Sequence, residues 1–537
     1  MKTSFFTKFE KTVGGLKFAV TIILIFSAFM VAGTFIESSG GADFANRLIY
    51  KRWPFMGIQF LMFLSILFAA FLRLPPKKRL YGFYVIHSGL ILLGIGSFIT
   101  WNSGVDGSIA LTQNDPNRRV ELNEDIISIH DMNNGTVYNK ILPYRAFPTK
   151  LNDEIKGIKV KEFLPFSENK LDWKKTKQKY ASASYLLFND NMSQDFTLSL
   201  HPQAKEFQST LKMGKLNLHF LPSALGRCFA KPSKSKLIIW NIETKTCFTP
   251  EEKKVPLKKT KKGSRFLALP TKVTGSDTII SFFPDFSPIP LDEKLQANRN
   301  SPYRILSKQL FEEKPHLFLF GNKLSYYADG AWESEDMGDG AVSLPWMGFE
   351  LKLIKHTTDE IPIFVPYFTT PIQKGGKLEK GGQKAVLVEY AGEEYWVTDK
   401  APVTLLAGDK KMMLNVGKSS FLLPFEFTLT RFKMDTNPGT MDPASYESFV
   451  RLFTPDGPSP HHIYMNNPLK HSGFTFYQAS YFQDNNGGYG TVLSVNIDPG
   501  RTLKYLGSLL VILGSIWHFV IRSEFFSRRR KLAGVHV

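Results

Sequence analysis

Cysteine is scarce in this chain. Two occur among 537 residues, Cys228 and Cys247, in "GRCFA" and "KTCFTP". No Cys-x-x-Cys pair and no Cys-x-x-Cys-His run is present, which excludes a thioredoxin-type redox centre and a covalent c-type haem of the chain's own. The Gly-rich piece "DNNGGYGT" lacks the Lys and Ser/Thr of a phosphate-binding loop. A His-Glu-x-x-His zinc motif is missing, as is a Gly-x-Ser-x-Gly nucleophile elbow after a strand. The eight tryptophans are scattered, with no Trp-Gly-x-Trp cluster. No catalytic constellation survives these exclusions.

Charge is also absent from four stretches, and here the sequence becomes informative. Uncharged runs lie between Lys17 and Glu37, Arg52 and Arg73, Arg79 and Asp106, and Lys504 and Arg522. At a helical rise of about 1.5 Å per residue they reach roughly 25 to 39 Å, against a hydrocarbon thickness of about 30 Å. The pattern predicts spans at about 18–36, 53–72, 80–102 and 505–521, the last short enough to stand upright. A cleaved signal peptide is the alternative for the first stretch, but its apolar core is long and two further spans follow at once.

The net charge of +19 raises the question of nucleic acid. Its placement argues otherwise. Residues 1–102 carry eleven Lys and Arg against three acids, and residues 504–537 carry six against one, so thirteen of the nineteen excess charges flank the apolar runs. The basic leader, the turn "RLPPKKR" and the tail "RSEFFSRRRKL" all fall on one side of a four-span topology, which the positive-inside rule makes cytoplasmic. We therefore read an integral membrane protein. An N-terminal membrane domain (1–102) and a C-terminal helix with its basic tail (504–537) hold a large extracytoplasmic domain, 103–503. The lipid bilayer is a partner on this reading and nucleic acid is not.

The domain reads as β-rich and sandwich-like. Alternation places Phe349, Leu351 and Leu353 on one side of "GFELKLIKH", Phe425, Phe427 and Leu429 on one side of "PFEFTLTRF", and Leu493, Val495 and Ile497 together in "TVLSVNID". The phrases "FLPFSEN", "SLPWMGFELKL" and "LLPFEFTLTRF" suggest a proline at a strand entrance followed by an inward aromatic. A helix is expected from Tyr303 in "YRILSKQLFEEK", and a boundary between two lobes near 287–302. The basic run Glu251–Arg265 has no interleaved aromatics and reads as a solvated loop, with attraction to anionic lipid or an acidic partner as the other reading. In an oxidising compartment Cys228 and Cys247 form one disulfide; otherwise they are two buried thiols. His461 and His462 are adjacent, so on a strand they point to opposite faces and do not share an ion.

The third run, "YGFYVIHSGLILLGIGSF", contains an ionisable imidazole, His87, among residues of lipid depth. Such a group faces a protein interior, a cavity or a ligand by preference. It lies eight residues from Arg79, or about 12 Å at helical rise. Gly82, Gly89, Gly94 and Gly96 around it leave room for close helix approach or for a flat cofactor, and haem is the obvious guest. An interhelical hydrogen bond is the plainer role. His518, four residues before Arg522, is a boundary residue beside Trp517 or a second, alternative ligand.

The chain resembles the ResB family, Ccs1-like in plastids, of system II cytochrome c biogenesis. The phrases that carry the resemblance are "GTFIES", the third run, "GVDGSIAL", "YMNNPLKHSGFTFYQASYF" and "VNIDPGRTLKYLGSLLVILG", with Asn467 to Phe482 the most specific. From about Glu121 to Leu344 the likeness is one of architecture alone. The resemblance implies a non-catalytic or co-catalytic subunit of a haem exporter and cytochrome c synthase in the bacterial cytoplasmic membrane, multi-pass, with both termini cytoplasmic. It further implies a transient b-type haem held by His87, a tryptophan-rich partner of the ResC or CcsA type supplying the second ligand, and an apocytochrome c whose Cys-x-x-Cys-His accepts the haem. The exported domain then acts as a scaffold, in which "NNPLKHSGFTFYQASYF" packs Phe474, Phe476 and Tyr481 inside while His471 is exposed. Two other classes stay open: a b-type electron carrier clasping haem between His87 and His518, and an anchored extracytoplasmic binding module.

Overall fold

A computed structural model of the protein describes residues 5–522 except 205, 330, 376, 408–409, 440–442 and 484–486; between 228 and 314 it describes only 237–241, 244, 246–248, 257–259, 265–269, 280–282, 288–290 and 303–307. A short α1 (Phe5–Val13) precedes α2 (Leu16–Gly40), and α3 (Ala42–Ala45) runs through a π-helical turn, Asn46–Tyr50, towards α4 (Trp53–Phe71). After the basic turn comes α5 (Tyr81–Ser103), and α6 (Arg501–Arg522) is the last described element. Among the described residues four helices, α2, α4, α5 and α6, are long and apolar enough to cross a membrane. Their 25, 19, 23 and 22 residues correspond to roughly 38, 29, 35 and 33 Å. Leu16, Phe35 and Phe519 are more than two-thirds exposed on them, as expected of helices whose outer faces need lipid or another chain.

The last helix is longer than the uncharged run 505–521. It starts at Arg501 because Asp498 accepts an ion pair from Lys504 at 2.7 Å and a hydrogen bond from Thr100 Oγ1 at 2.5 Å, so the first turn carries its charges in neutralised form. The segments that flank the membrane-length helices continue their pairing. Val105–Leu111, which follows α5, lies antiparallel to Tyr489–Ile497, which precedes α6, in a register running from Val105↔Ile497 to Leu111↔Thr491.

The chain divides into two compact units, Met1–Glu168 with Pro366–Val537, and Asn169–Val365. In the first, ten strands among the described residues form one sheet, with a backbone order of Gly457–Ile463, Pro443–Thr454, Lys410–Thr436, Pro116–Asp131, Val105–Leu111, Tyr489–Ile497, Phe474–Gln483 and Leu469–His471. Ile463 from one end of this order and Phe476 near the other share a core with Phe425, Phe427, Leu429, Leu493 and Val495, so the sheet is rolled. A second core joins this sheet, through Ile127, Ile129, Leu414 and Val416, to another one carrying Val160, Phe163, Val386 and Val388. The alternation read from the sequence at 425–429 and 493–495 is the inward face of these strands.

In the second unit, Tyr185 and Leu187 from one sheet pack with Leu218, Phe220, Leu317 and Leu351. Tyr185 is fully buried and donates its hydroxyl hydrogen to the Gly321 carbonyl at 2.8 Å, which satisfies the one polar atom its ring brings into the core. Cys247 is disulfide-bonded; the only other cysteine in the sequence, Cys228, lies outside the described residues.

Two local expectations change. Tyr303–Ser307 is a strand, paired antiparallel with Leu237–Asn241, and not the start of a helix. Long-range ladder bonds outweigh a helix preference of a few tenths of a kcal/mol per residue. Pro165 and Pro424 sit inside the strands Ile158–Lys175 and Lys410–Thr436, away from their entrances. Each coincides with a break in register, between Gln383↔Ser167 and Ala385↔Leu164 in one case and between Arg119↔Leu422 and Asn117↔Phe427 in the other. A residue without an N–H is accommodated where the ladder is already interrupted. The expected lobe boundary near 287–302 and most of the basic run Glu251–Arg265 lie outside the described residues.

Candidate functional site

His87 lies in the first half of α5 and is half-buried. Its Nδ1 is 2.9 Å from the Phe83 carbonyl oxygen. A carbonyl only accepts, so Nδ1 carries the proton and, in the neutral ring, Nε2 keeps its lone pair. This is the tautomer that an imidazole needs for ligating a metal, fixed by the kind of backbone contact that orients such ligands. The Phe83 ring covers the imidazole with centroids 3.7 Å apart, and the Arg73 guanidinium lies 4.6 Å from the Phe83 centroid. Among the described residues Nε2 has no hydrogen-bond partner. The donor chemistry present therefore fits a single ligand to a haem iron.

The four glycines around His87 serve close helix approach, not a flat cofactor lying on them. Gly82, Gly89 and Gly96 recur every seven residues on α5, and Gly500, Gly507 and Gly514 every seven at the start of and along α6. A Cβ added to Gly89 would lie 2.6 Å from the Gly507 carbonyl oxygen, and one added to Gly507 the same distance from that of Gly89. Gly96 meets Gly500 and Gly82 meets His518, so the two helices run antiparallel with their backbones in contact. A strict seven-residue repeat is the period that keeps such a seam facing its partner. Gly94 is taken up by α4, where a Cβ would lie 2.4 Å from the Phe63 ring.

His518 is thus placed by its backbone against Gly82, on the seam. Position 87 is about 140° further round α5 than position 82. Among the described residues the two imidazoles make no hydrogen bond or ring contact with each other; His518 has Phe519 as its ring neighbour. The other histidines singled out in the sequence have ordinary partners. His461 Nε2 is 3.0 Å from Ser459 Oγ, His462 Nε2 is 3.0 Å from Glu447 Oε2 with its ring stacked on Phe449, and His471 is half-buried against the edge of Phe425.

Sequence reasoning missed a buried charge cluster beyond the end of α2. Arg47, in the π-helical turn, is fully buried and bonds Asp43 at 3.0 Å as well as Asp125. Asp125, itself buried, also pairs with Lys384 and, at 3.1 Å, with Lys418. Burial alone would raise the Asp125 carboxyl, but Lys384, Arg47 and Lys418 together outweigh it and hold the pKa at about 2. Burial also lowers the Lys384 ammonium; Asp125 counters this, while Lys418 and Arg47 add to it. Tyr144 donates to Asp43 at 3.0 Å and lies under the Arg47 guanidinium, 4.2 Å from ring centroid to Cζ. Residues 43–47, 125, 144, 384 and 418 come from distant stretches of polar sequence, and nothing in their local pattern marks them as neighbours.

Residues 394–490 match the family model described as the ResB-like family. The chain carries a ResB-like segment. It runs from the strand Glu393–Thr398 into Tyr489–Ile497 and so includes the 27-residue strand Lys410–Thr436 and the stretch Asn467 to Phe482 that carries the resemblance most specifically. Over 119 residues the chain is also 36% identical to Protein NrfI of Wolinella succinogenes, a match covering 22% of this chain and 13% of that relative. Within the ResB-like segment Phe427, Leu429, Val450 and Phe476 form the rolled core, and Phe474 packs against it. Tyr481 stacks on Phe432 instead, in an aromatic group with Tyr446 and Tyr489. His87 and His518 lie outside the matched segment.

Proposed function

We propose that this chain acts in cytochrome c biogenesis as a membrane-anchored subunit that receives haem at His87 and helps pass it outward for thioether attachment at the Cys-x-x-Cys-His of an apocytochrome. The observation that carries the reading is the His87 imidazole, set in an apolar helix with Nδ1 committed to Phe83 and Nε2 free to ligate. The ResB-like segment and the likeness to NrfI support the same pathway. Haem, when bound, supplies the vinyl groups to which the thiols add. The chain's own residues do less than chemistry: His87 would hold the haem iron through Nε2, Phe83 fixes its tautomer, and the α5–α6 seam holds the helix that presents it.

The second ligand comes from a tryptophan-rich membrane partner of the ResC or CcsA type. On this reading the β-rich domain is extracytoplasmic, which a disulfide at Cys247 supports, and it holds the apocytochrome near the haem exit. Both termini and the Arg73–Arg79 turn are cytoplasmic in this topology. The chain is then a co-catalytic or non-catalytic member of the synthase. The test is maturation of a reporter c-type cytochrome in cells carrying this chain and its partner. His87→Ala is expected to lower covalent haem in the reporter at least about tenfold while His518→Ala retains it. Unchanged maturation in His87→Ala overturns the proposal.

A further inference from the structure

We propose that the cavity beside Asp125 receives the anionic head of an amphiphile, a group presenting carboxylate or phosphate oxygens. The cavity has a volume of about 690 Å³, within the range of small-molecule pockets. Lys51, Lys384 and Lys418 line it together with the acids Asp43 and Asp106. The acids do not balance the cations around them. Asp125 is shared by Arg47, Lys384 and Lys418, Asp43 is taken up by Arg47, and Lys51 stands 5.1 Å from the Tyr144 centroid with no carboxylate in ion-pair range among the described residues.

Arg47 is not in the cavity wall, but it neutralises Asp43, which is, and so leaves the wall lysines in excess. Its side chain is fully buried, and Nη1 has no hydrogen-bond partner among the described residues. If the cluster served stability alone, one cation for the buried carboxylate would suffice, and each further one adds a desolvation penalty.

Location decides the rest of the ligand. Gly40 and Gly41, where α2 ends, and Asp106, just after α5, are in the wall, so the cavity lies where the apolar helices give way to strands. Phe166 and Leu378 give it an apolar side. Gly41 has φ +86°, and a Cβ there would lie 2.7 Å from Gln373 Oε1, which explains a glycine at this point of the wall. A molecule with an apolar body beside α2 and an anionic head among the lysines satisfies both halves. A phospholipid phosphate and the propionates of a tetrapyrrole share this chemistry, and the inference holds for either whether or not His87 ligates iron.

The experiment uses the purified full-length protein in detergent with two matched pairs of probes. Phosphatidylglycerol is compared with diacylglycerol, which lacks the phosphate, by native mass spectrometry. Metal-free protoporphyrin IX is compared with its dimethyl ester, which lacks the carboxylates, by fluorescence; without iron, His87 ligation does not enter. At least one charged probe should bind about tenfold or more tightly than its uncharged counterpart, and Lys51→Gln should reduce that preference severalfold. Preference confined to the first pair assigns a lipid, and to the second a tetrapyrrole. Lys51 pairs with no carboxylate, so Lys51→Gln leaves the fold intact where Lys418→Gln risks it. Equal binding within both pairs, or a preference unchanged in Lys51→Gln, overturns the inference.

Discussion

At the scale of single residues, Asp125 is the group on which most charge depends. Replacing it by Asn leaves Arg47, Lys384 and Lys418 around a neutral amide, and removal of one partner from a buried ion pair costs about 3–5 kcal/mol. Chemical denaturation of the purified protein should show a loss of that order for Asp125→Asn. The pH dependence has a definite sign. The folded carboxyl titrates at about 2, below its ordinary 3.8, so its contribution, of order 2 kcal/mol, is complete above about pH 4 and disappears as pH falls towards 2. Acid titration should therefore narrow the gap between wild type and Asp125→Asn by about 2 kcal/mol, most of it between pH 4 and pH 2. His87 was legible in the sequence because an ionisable residue stands out in an apolar run. Asp125 and Arg47 were not, since charged residues in polar stretches carry no mark of burial.

Among elements, the α5–α6 seam makes the strongest demand on side-chain size. Gly89→Val places a branched side chain where a Cβ already meets the Gly507 carbonyl, whereas at Gly57 nothing lies within 4 Å of a Cβ. Overpacking of this kind costs about 1–3 kcal/mol. Thermal unfolding in detergent should shift down for Gly89→Val and stay unchanged for Gly57→Val. The membrane-length helices were readable from charge-free runs, and the strands at 425–429 and 493–495 from alternation, because both periodicities are imposed by the solvent on each face. The heptad of glycines was visible as composition but not as a seam, for its meaning depends on a second helix four hundred residues away. Tyr303–Ser307 was misread for a related reason: a five-residue strand is decided by its ladder partner, and its own sequence favours either state.

On the scale of the whole molecule, the chain is tied together at both ends. The antiparallel pair α5–α6 continues directly into the strand pair Val105–Leu111 and Tyr489–Ile497, so the third and the last apolar helices are joined by both backbone ladder and helix packing just beyond the ResB-like segment. In the proposed topology the β-rich domain is outside the cytoplasm. Alkaline phosphatase fused after residue 300 should be active and fused after residue 75 inactive; the reverse pattern refutes the orientation. Among the described residues Nε2 of His87 has no hydrogen-bond partner and no second imidazole lies beside it, so in the proposed function the second ligand to haem comes from the partner.

The most direct test of that claim is the absorption spectrum of the protein purified together with the proposed tryptophan-rich partner from haem-replete cells. The account predicts a haem Soret band in wild type and in His518→Ala and its loss in His87→Ala, with the partner still co-purifying. A band of undiminished intensity in His87→Ala, or none in wild type bound to the partner, contradicts it.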